Sequence, residues 1–182
     1  NITKALACAG RIQSIFDVKP GMQDGTASVK ESDDEVPVVE FKNAALTYSG
    51  AGDTSIAGVS FKAYRGQTIG IIGGTGSGKS SLVGLIPRFY DATEGEVLID
   101  GVNVKDIKLE ELRDKVGIVM QKAVLFKGSI RNNMQVAKQD ATDGEIDEAL
   151  AIAQAKEFVD KKDGRLDYMI EQGGKNLSGG QR

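Results

Sequence analysis

A glycine-rich stretch in the first half of the chain has the residue types that bind phosphate. It reads GGTGSGKSS from Gly73 to Ser81 and matches the pattern G-x-x-x-x-G-K-[ST]. Glycines allow backbone N–H groups to close around phosphate oxygens without clashes from Cβ atoms, and a helix that begins here adds its positive end. Lys79 is expected to neutralise the β- and γ-phosphates of a nucleoside triphosphate, and the Ser80 hydroxyl is expected to bind Mg²⁺. The other loop residues predicted to contact the nucleotide are Gly73, Gly74, Thr75, Gly76, Ser77, Gly78 and Ser81.

The alternative is a glycine- and serine-rich loop that only connects a strand to a helix. A buried strand is expected before the loop, at residues 68–72, and a helical pattern of apolar residues follows it up to Pro87. This strand–loop–helix context favours phosphate binding. The motif alone does not separate kinases, GTPases and ATPases.

A second cluster of small polar residues lies at the end of the sequence. Residues 177–181 read LSGGQ. Ser178 is predicted to cap a helix whose first turn exposes the amides of Gly179 and Gly180, which would give a second anion-binding helix end. The alternative is a serine-capped helix start without a ligand.

Taken together, the phosphate loop and LSGGQ resemble the motifs of ATP-binding cassette (ABC) proteins. The resemblance covers nearly the whole chain, most firmly residues 36–182. It implies ATP and Mg²⁺ as ligands, an ATPase activity in the intact protein, and a second nucleotide-binding domain as a partner in a homo- or heterodimer. In this family the LSGGQ segment closes over the γ-phosphate that the partner holds. Contacts to the partner's nucleotide are therefore expected from Ser178, Gly179, Gly180 and Gln181.

Two further residues gain roles from the resemblance. Tyr48, in AALTYSG, is similar to the family's aromatic residue that stacks on adenine; the alternative is a tyrosine that packs on the sheet. Gln121 follows VGIVM and is similar to the glutamine that reaches Mg²⁺ and the attacking water; the alternative is a strand-terminal glutamine without a ligand. The implied catalytic residues are Lys79 and Gln121, and the implied metal ligands are Ser80 and Gln121.

Several stretches, including IPRFYDATEGEVLIDG and IEQGGKNLSGGQR, resemble the exporter branch of the family. An exporter couples ATP-driven domain dimerisation to substrate efflux, at the cytoplasmic face of the cell membrane, through a transmembrane domain of the same polypeptide. Residues 1–20 carry a helical apolar stripe that is similar to the cytoplasmic end of a transmembrane helix, or that alternatively packs on its own domain. Two other functions stay open: a soluble ABC ATPase of DNA repair or translation, and a degenerate, binding-only half of a heterodimeric transporter.

These residues need an α/β framework to position them. The expected fold is a P-loop NTPase domain of the ABC type, with an antiparallel β subdomain and an α-helical subdomain. Strands are predicted at 38–46, 56–63, 68–72, 96–100 and 116–120. TIGII and VGIVM are continuously apolar, as expected of strands buried on both faces of a parallel sheet. Helices are expected at about 125–163, where Thr142 and Glu145 form a capping-box pattern.

The predicted organisation has three parts: residues 1–20 as the transmembrane-helix end, 21–36 as a solvated linker, and 37–182 as an incomplete nucleotide-binding domain with its helical subdomain at about 125–176. The family places an Asp, a catalytic Glu and a switch histidine on C-terminal strands beyond LSGGQ, and this chain has no histidine. We therefore expect a part of a longer polypeptide, deficient in hydrolysis and unable to fold natively by itself. Without those strands, TIGII and VGIVM would keep unpaired backbone groups and open apolar surface.

Composition disfavours several other classes. The net charge of −3 argues against duplex binding, so no nucleic-acid partner is expected. The sequence contains neither a run of about 18 apolar residues nor a secretory signal pattern. The single cysteine, Cys8, cannot form an internal disulfide, which fits a reducing compartment.

Overall fold

The computed structural model describes residues 2–18, 21–122 and 124–182. It divides into two compact units, Asn1–Ile118 and Val119–Arg182. The first unit contains α1 (Ile2–Phe16), β1 (Val39–Leu46), β2 (Ile56–Ala63), α2 (Lys79–Gly84), β3 (Glu94–Ile99), β4 (Val102–Asn103) and α3 (Leu109–Lys115). The second contains β5 (Gly128–Ser129), α4 (Ile130–Met134), α5 (Asp143–Ile152), α6 (Lys156–Asp160) and β6 (Met169–Ile170), with 3₁₀ turns at Arg165–Asp167, Gln172–Gly174 and Gly179–Gln181.

The first unit is built on a four-stranded antiparallel sheet. Its strand order is β2-β1-β3-β4. Phe41 of β1 lies opposite Phe61 of β2, and their rings stack with centroids 4.6 Å apart. Phe41, residues of β3 and α3, and Leu85 directly after α2 belong to the buried core on this sheet. The antiparallel β subdomain is therefore confirmed, and the strand predicted at 96–100 lies at Glu94–Ile99.

Two of the predicted strands do not form. Residues 68–72 and 116–120 pair with no strand in the described ranges. The side chains of Ile72 and Val119 are 96% and 98% exposed. A parallel strand is stabilised by hydrogen bonds from its neighbours, which its own apolar sequence cannot supply. The prediction of two buried strands is therefore wrong for this structure, whereas the expected open apolar surface is confirmed.

The segment before β1 is held against the first unit. The Asp24 carboxylate accepts a hydrogen bond from the Leu109 N–H (2.8 Å), which is a free donor in the first turn of α3. The Thr26 and Ala27 N–H groups donate to the Asp106 carbonyl (2.9 and 2.8 Å), and the Ala27 carbonyl accepts from the Lys108 N–H (3.0 Å). We call residues 23–32 the strap. Its backbone is thus hydrogen-bonded at Thr26 and Ala27, while many of its side chains are exposed, and the linker at residues 21–36 stays a prediction.

Side-chain hydrogen bonds hold both ends of the strap, at Gln23 and at Ser32. Arg88, only 3% exposed, donates from Nη2 to the Gln23 carbonyl (2.8 Å) and from Nη1 to the Lys105 carbonyl (3.1 Å). Its charge is paired with both oxygens of the Asp91 carboxylate. At the other end, the Ser32 hydroxyl donates to Asp100 (2.8 Å). Burial acts to raise the pKa of Asp100, but hydrogen bonds from Lys115 and Ser32 outweigh it and hold this pKa below its ordinary value.

Gly25 lies where the backbone of the strap comes close to the backbone at Asp106, and a substitution there tests whether the strap depends on this contact. A Cβ atom at this position would lie 2.2 Å from the Asp106 carbonyl oxygen, too close for any side chain. Gly25→Ala in the full-length protein is expected to loosen the strap, at a cost of about 1–3 kcal/mol, and to speed hydrogen exchange at the Thr26, Ala27 and Lys108 amides.

Gly21→Ala is the matched control, because a Cβ at Gly21 meets no atom within 4 Å. Equal exchange rates in the Gly25 variant and the wild type would mean that the strap does not need the close approach.

The second unit consists of short helices around its own apolar core. Ile130, Ile146, Leu150, Val159 and Leu166 are among the buried residues. The predicted capping box is confirmed at the start of α5: the Glu145 carboxylate accepts from the Thr142 N–H (2.8 Å), and the Glu145 N–H donates to the Thr142 hydroxyl (3.4 Å). Hydrogen bonds from Lys138 and then Thr142 lower the pKa of Glu145 to about 2, so this cap stays charged at neutral pH. The boundaries at residues 20, 36, 125 and 176 stay predictions.

Helix α1 is uncovered. Every described side chain from Lys4 to Phe16 is exposed, including the apolar residues of the predicted stripe. The described side chains of α1 therefore do not pack on the described part of the chain, and both interpretations of residues 1–20 stay predictions. Among the described residues, no helix has the length and apolar composition needed to cross a bilayer.

Candidate functional site

The glycine-rich loop curves around the ammonium group of Lys79. The Lys79 Nζ donates to the carbonyls of Gly73 (2.8 Å) and Gly74 (2.6 Å) and lies 3.3 Å from the Ser77 hydroxyl oxygen. These acceptors come from residues just before α2, and Lys79 is the first residue of that helix. The cation is therefore held at the mouth of the loop, at the positive end of α2.

The charge of Lys79 has no anionic partner in the described part of the chain. The ion pairs found there do not include Lys79, and all three of its acceptors are neutral oxygens. A cation that neutral groups position, and that no carboxylate compensates, attracts an anion. The loop has the electrostatics expected of a phosphate site.

Gly78 lets the loop lie close to the residue before β2. It has φ +83°, a left-handed conformation that side chains disfavour, and a Cβ here would lie 2.5 Å from the Ser55 carbonyl oxygen. The Gly78 carbonyl accepts the first helical hydrogen bond of α2, from the Leu82 N–H (2.8 Å). A glycine at this position therefore sets the direction in which the helix leaves the loop.

Gly78→Ala is expected to destabilise the first unit of the full-length protein. The left-handed conformation alone costs about 1–2 kcal/mol for alanine, and relief of the clash with Ser55 adds to this cost. The measurement is the midpoint of thermal unfolding.

Gly74→Ala serves as the control for stability, since a Cβ there meets no atom within 4 Å. If the Gly78→Ala variant had the same unfolding midpoint as the Gly74→Ala variant and the wild type, the expected strain at position 78 would be contradicted.

Tyr48 lies beside the loop. Its hydroxyl donates to the Ser81 hydroxyl (2.8 Å), and its ring meets the ring of Tyr90 edge to face, with centroids 4.9 Å apart. Tyr48 and the loop line one cavity of about 310 Å³, within the range of small-molecule sites. Its lining residues are Tyr48, Ser55, Gly76, Ser77, Gly78, Lys79, Ser80 and Ser81. Tyr48 is thus brought to the phosphate loop, while its ring also packs on the core.

Ser80 is one of four serines that line this cavity, and the family resemblance implies it as a magnesium ligand. Its side chain is exposed next to Lys79. No group of three or more His, Cys, Asp or Glu side chains that could hold a metal occurs among the described residues. Mg²⁺ in phosphate sites is commonly bound by one or two protein oxygens, with phosphates and water as the other ligands. A serine hydroxyl in this loop is therefore compatible with Mg²⁺ binding, and Ser80 as the ligand stays a prediction.

The other predicted site residues lie in the second unit. Gln121 is exposed and belongs to no helix or strand. Ser178 precedes the 3₁₀ turn Gly179–Gln181, and its N–H donates to the Gln181 Oε1 (3.2 Å). Gly179 and Gly180 are exposed, and a Cβ at either position would meet no atom within 4 Å; the anion-binding role of their amides stays a prediction. The side chain of Gln181, however, lines an apolar cavity of about 190 Å³ within its own unit.

Three features of the site were missed by the sequence analysis. The Ser55 carbonyl, the Tyr90 ring and the Tyr48–Ser81 hydrogen bond all depend on residues that are distant from the loop in sequence. Gly78 alone indicated that the loop backbone lies close to another residue, and the sequence did not show that this residue is Ser55.

The sequence model of the ABC transporter family matches residues 56–182. The chain is 39% identical over 180 residues to the ATP-dependent lipid A-core flippase of Vibrio vulnificus, covering 98% of this chain and 30% of that protein. It is 38% identical over 180 residues to ABC transporter B family member 1 of Arabidopsis thaliana, covering 98% of this chain and 14% of that protein. It is 37% identical over 180 residues to the Beta-(1-->2)glucan export ATP-binding/permease protein of Rhodopseudomonas palustris, covering 96% of this chain and 29% of that protein.

Among solved structures, a bacterial Atm1-family ABC exporter with ATP bound matches with a TM-score of 0.86 and 29% sequence identity. The match covers 99% of this chain and 31% of that chain. The chain thus spans less than a third of the length of each of these proteins.

Proposed function

Since this chain belongs to the ABC transporter family, we propose that it is the ATP-binding and hydrolysing domain of an exporter. In this proposal, ATP drives two such domains together, and their closure and reopening move a substrate across the membrane. The observation that carries it is the Lys79 ammonium, held by neutral oxygens in a glycine loop that shares one cavity with Tyr48. The names of the relatives, a lipid flippase and a glucan export protein, support export as the type of work.

Binding of the nucleotide falls to the first unit. Backbone N–H groups of residues 73–81 would surround the phosphates, with the Lys79 ammonium against the β- and γ-phosphates and the Ser81 hydroxyl beside them. Tyr48 would lie along the adenine. Its ring is already restrained by Tyr90, so little side-chain entropy remains to be lost on binding.

Ser80 and Gln121 would hold Mg²⁺ together with the phosphates. The ion supplies neutralisation of charge on the β- and γ-phosphates. The Gln121 side-chain amide can orient the attacking water by accepting a hydrogen bond through its oxygen or donating one through its nitrogen. The catalytic glutamate and switch histidine of the family have no counterpart in this sequence, which contains no histidine. The hydrolytic step is therefore proposed for the intact protein.

The LSGGQ segment would act on the nucleotide of the second domain. The exposed amides of Gly179 and Gly180, together with Ser178 and Gln181, would face the γ-phosphate held by the partner's loop. Two such domains would enclose two ATP molecules, each domain supplying one face of each site. The LSGGQ segment is thus expected to contribute to closure more than to binding by the single domain.

A membrane location follows from the same proposal. Helix α1, uncovered along its apolar stripe, would continue from a transmembrane domain of the same polypeptide at the cytoplasmic face of the cell membrane. A soluble ABC ATPase of DNA repair or translation has no evident need for such a stripe. The binding-only alternative would require that the full-length protein lack the catalytic glutamate.

The test is Mg²⁺-dependent turnover by the full-length protein in lipid vesicles. ATP hydrolysis is expected with Mg²⁺ and is expected to be lost with EDTA, because the phosphates would lose their counter-charge. Absence of ATP binding would overturn the proposed function. Binding without turnover would favour the binding-only alternative, and full activity of a protein that does not partition into membranes would favour the soluble one.

A further inference from the structure

The hydroxyl group of Tyr48 has a partner that base stacking does not require. It donates to the Ser81 hydroxyl (2.8 Å), although Tyr48 follows β1 and Ser81 lies in the first turn of α2, 33 residues later. Both side chains are half-buried and line the same cavity. An aromatic ring that served only as a stacking surface would not need this bond.

The position of the ring is fixed from two directions. The edge-to-face contact with Tyr90 holds the ring, and the bond to Ser81 holds its hydroxyl end. The part of the ring that faces the protein also packs against the buried core of the first unit. The Tyr48 hydroxyl is therefore a stationary donor.

A stationary donor restricts what the Ser81 hydroxyl can do. A serine hydroxyl has one hydrogen to donate and two lone pairs. Tyr48 occupies a lone pair, and in the described ranges no protein group accepts the hydrogen of Ser81. The remaining hydrogen is free to point into the cavity that contains Lys79. A hydroxyl that accepts one hydrogen bond also becomes a stronger donor in the next.

We propose that Tyr48 positions the Ser81 hydroxyl as a donor to the phosphate chain of the nucleotide. Tyr48 thereby contributes to the affinity for the nucleotide through Ser81 and the phosphates, independently of any contact with the base. This inference rests on the proposed function, since it concerns the same site. In this role Tyr48 is a positioning residue, and any contact of its ring with adenine is a separate contribution.

The experiment measures displacement of a fluorescent ATP analogue from the full-length protein by three competitors: ATP, GTP and inorganic tripolyphosphate. Tyr48→Phe keeps the ring and removes the hydroxyl, and Ser81→Ala removes its partner. Each variant is expected to bind each of the three competitors about three- to tenfold more weakly than the wild type does. The double variant is expected to lose no more than the more affected single variant, because both changes break one chain of hydrogen bonds.

Tyr64→Phe is the matched control and is expected to bind as the wild type does. Tyr64 directly follows β2, and no hydrogen bond to its hydroxyl is found in the described chain. Unfolding midpoints are recorded for every variant. If Tyr48→Phe does not fold, Ser81→Ala still removes the same hydrogen bond and measures its effect on binding. Wild-type affinity in Tyr48→Phe, a loss confined to ATP and GTP, or additive losses in the double variant would each overturn the inference. A wild-type protein that binds no ATP would overturn the proposed function instead.

Discussion

Replacement of Lys79 by alanine in the full-length protein is expected to lower the rate of MgATP hydrolysis by about 100-fold or more. Lys79 brings a positive charge to a loop whose other predicted contacts are backbone amides and hydroxyls, and its ammonium is already oriented by the Gly73 and Gly74 carbonyls. Oriented charge has its largest effect where negative charge is redistributed, as on phosphates in the transition state. The measurement is steady-state phosphate release at saturating ATP.

The same substitution should leave the fold intact. Removal of the ammonium leaves no carboxylate unpaired in the described chain, and the carbonyls it releases are exposed to water. Lys62→Ala is the matched control: Lys62 is exposed on β2 and pairs with Glu40 (3.3 Å), a surface contact worth at most about 1 kcal/mol. Unaltered turnover in the Lys79 variant would refute the assignment of the phosphate site.

Gly179→Asp is expected to abolish ATP-driven association of the two nucleotide-binding domains. A carboxylate at this position would place negative charge where the proposal places the partner's γ-phosphate, and like charges in a partly dehydrated contact repel strongly. ATP binding by each phosphate loop should be nearly unaffected, because the substitution lies in the LSGGQ segment. The measurement is the distance between spin labels on the two domains, with and without ATP.

Gly179→Ala separates charge from size. A Cβ at Gly179 meets no atom within 4 Å, and the residue does not have a left-handed conformation, so alanine fits the turn. The alanine variant is expected to retain most of the closure that the aspartate variant loses. Equal closure in both variants would count against a role of the LSGGQ segment at the partner's nucleotide.

Features with local causes were predictable from the sequence. The helix that begins at Lys79 and the cap of α5 each depend on residues within one turn. Strands β1 to β3 have β-rich composition, and glycine-rich turns separate several of the predicted segments, so their positions were predicted within about two residues. The family resemblance then supplied roles that spacing could not.

Features with distant causes were not predictable. TIGII and VGIVM have strand-like composition, but a parallel strand forms only beside a neighbour. The residues of the strap are polar, but the sequence did not indicate that polar residues such as Asp24 supply the acceptors that fix it to α3. Likewise, nothing near Tyr48 in the sequence indicated that its hydroxyl meets Ser81.

The anchoring of Gln23 by Arg88 limits how far α1 can travel. Seven peptide steps separate Phe16, the last residue of α1, from Gln23, and fully extended they reach roughly 25 Å. The stretch between them is thus a short tether, and its far end, Gln23, is bonded to Arg88 in the turn after α2, the helix that starts in the phosphate loop. A pull on α1 would reach the nucleotide end of the protein through one guanidinium group, without first stretching a long flexible chain.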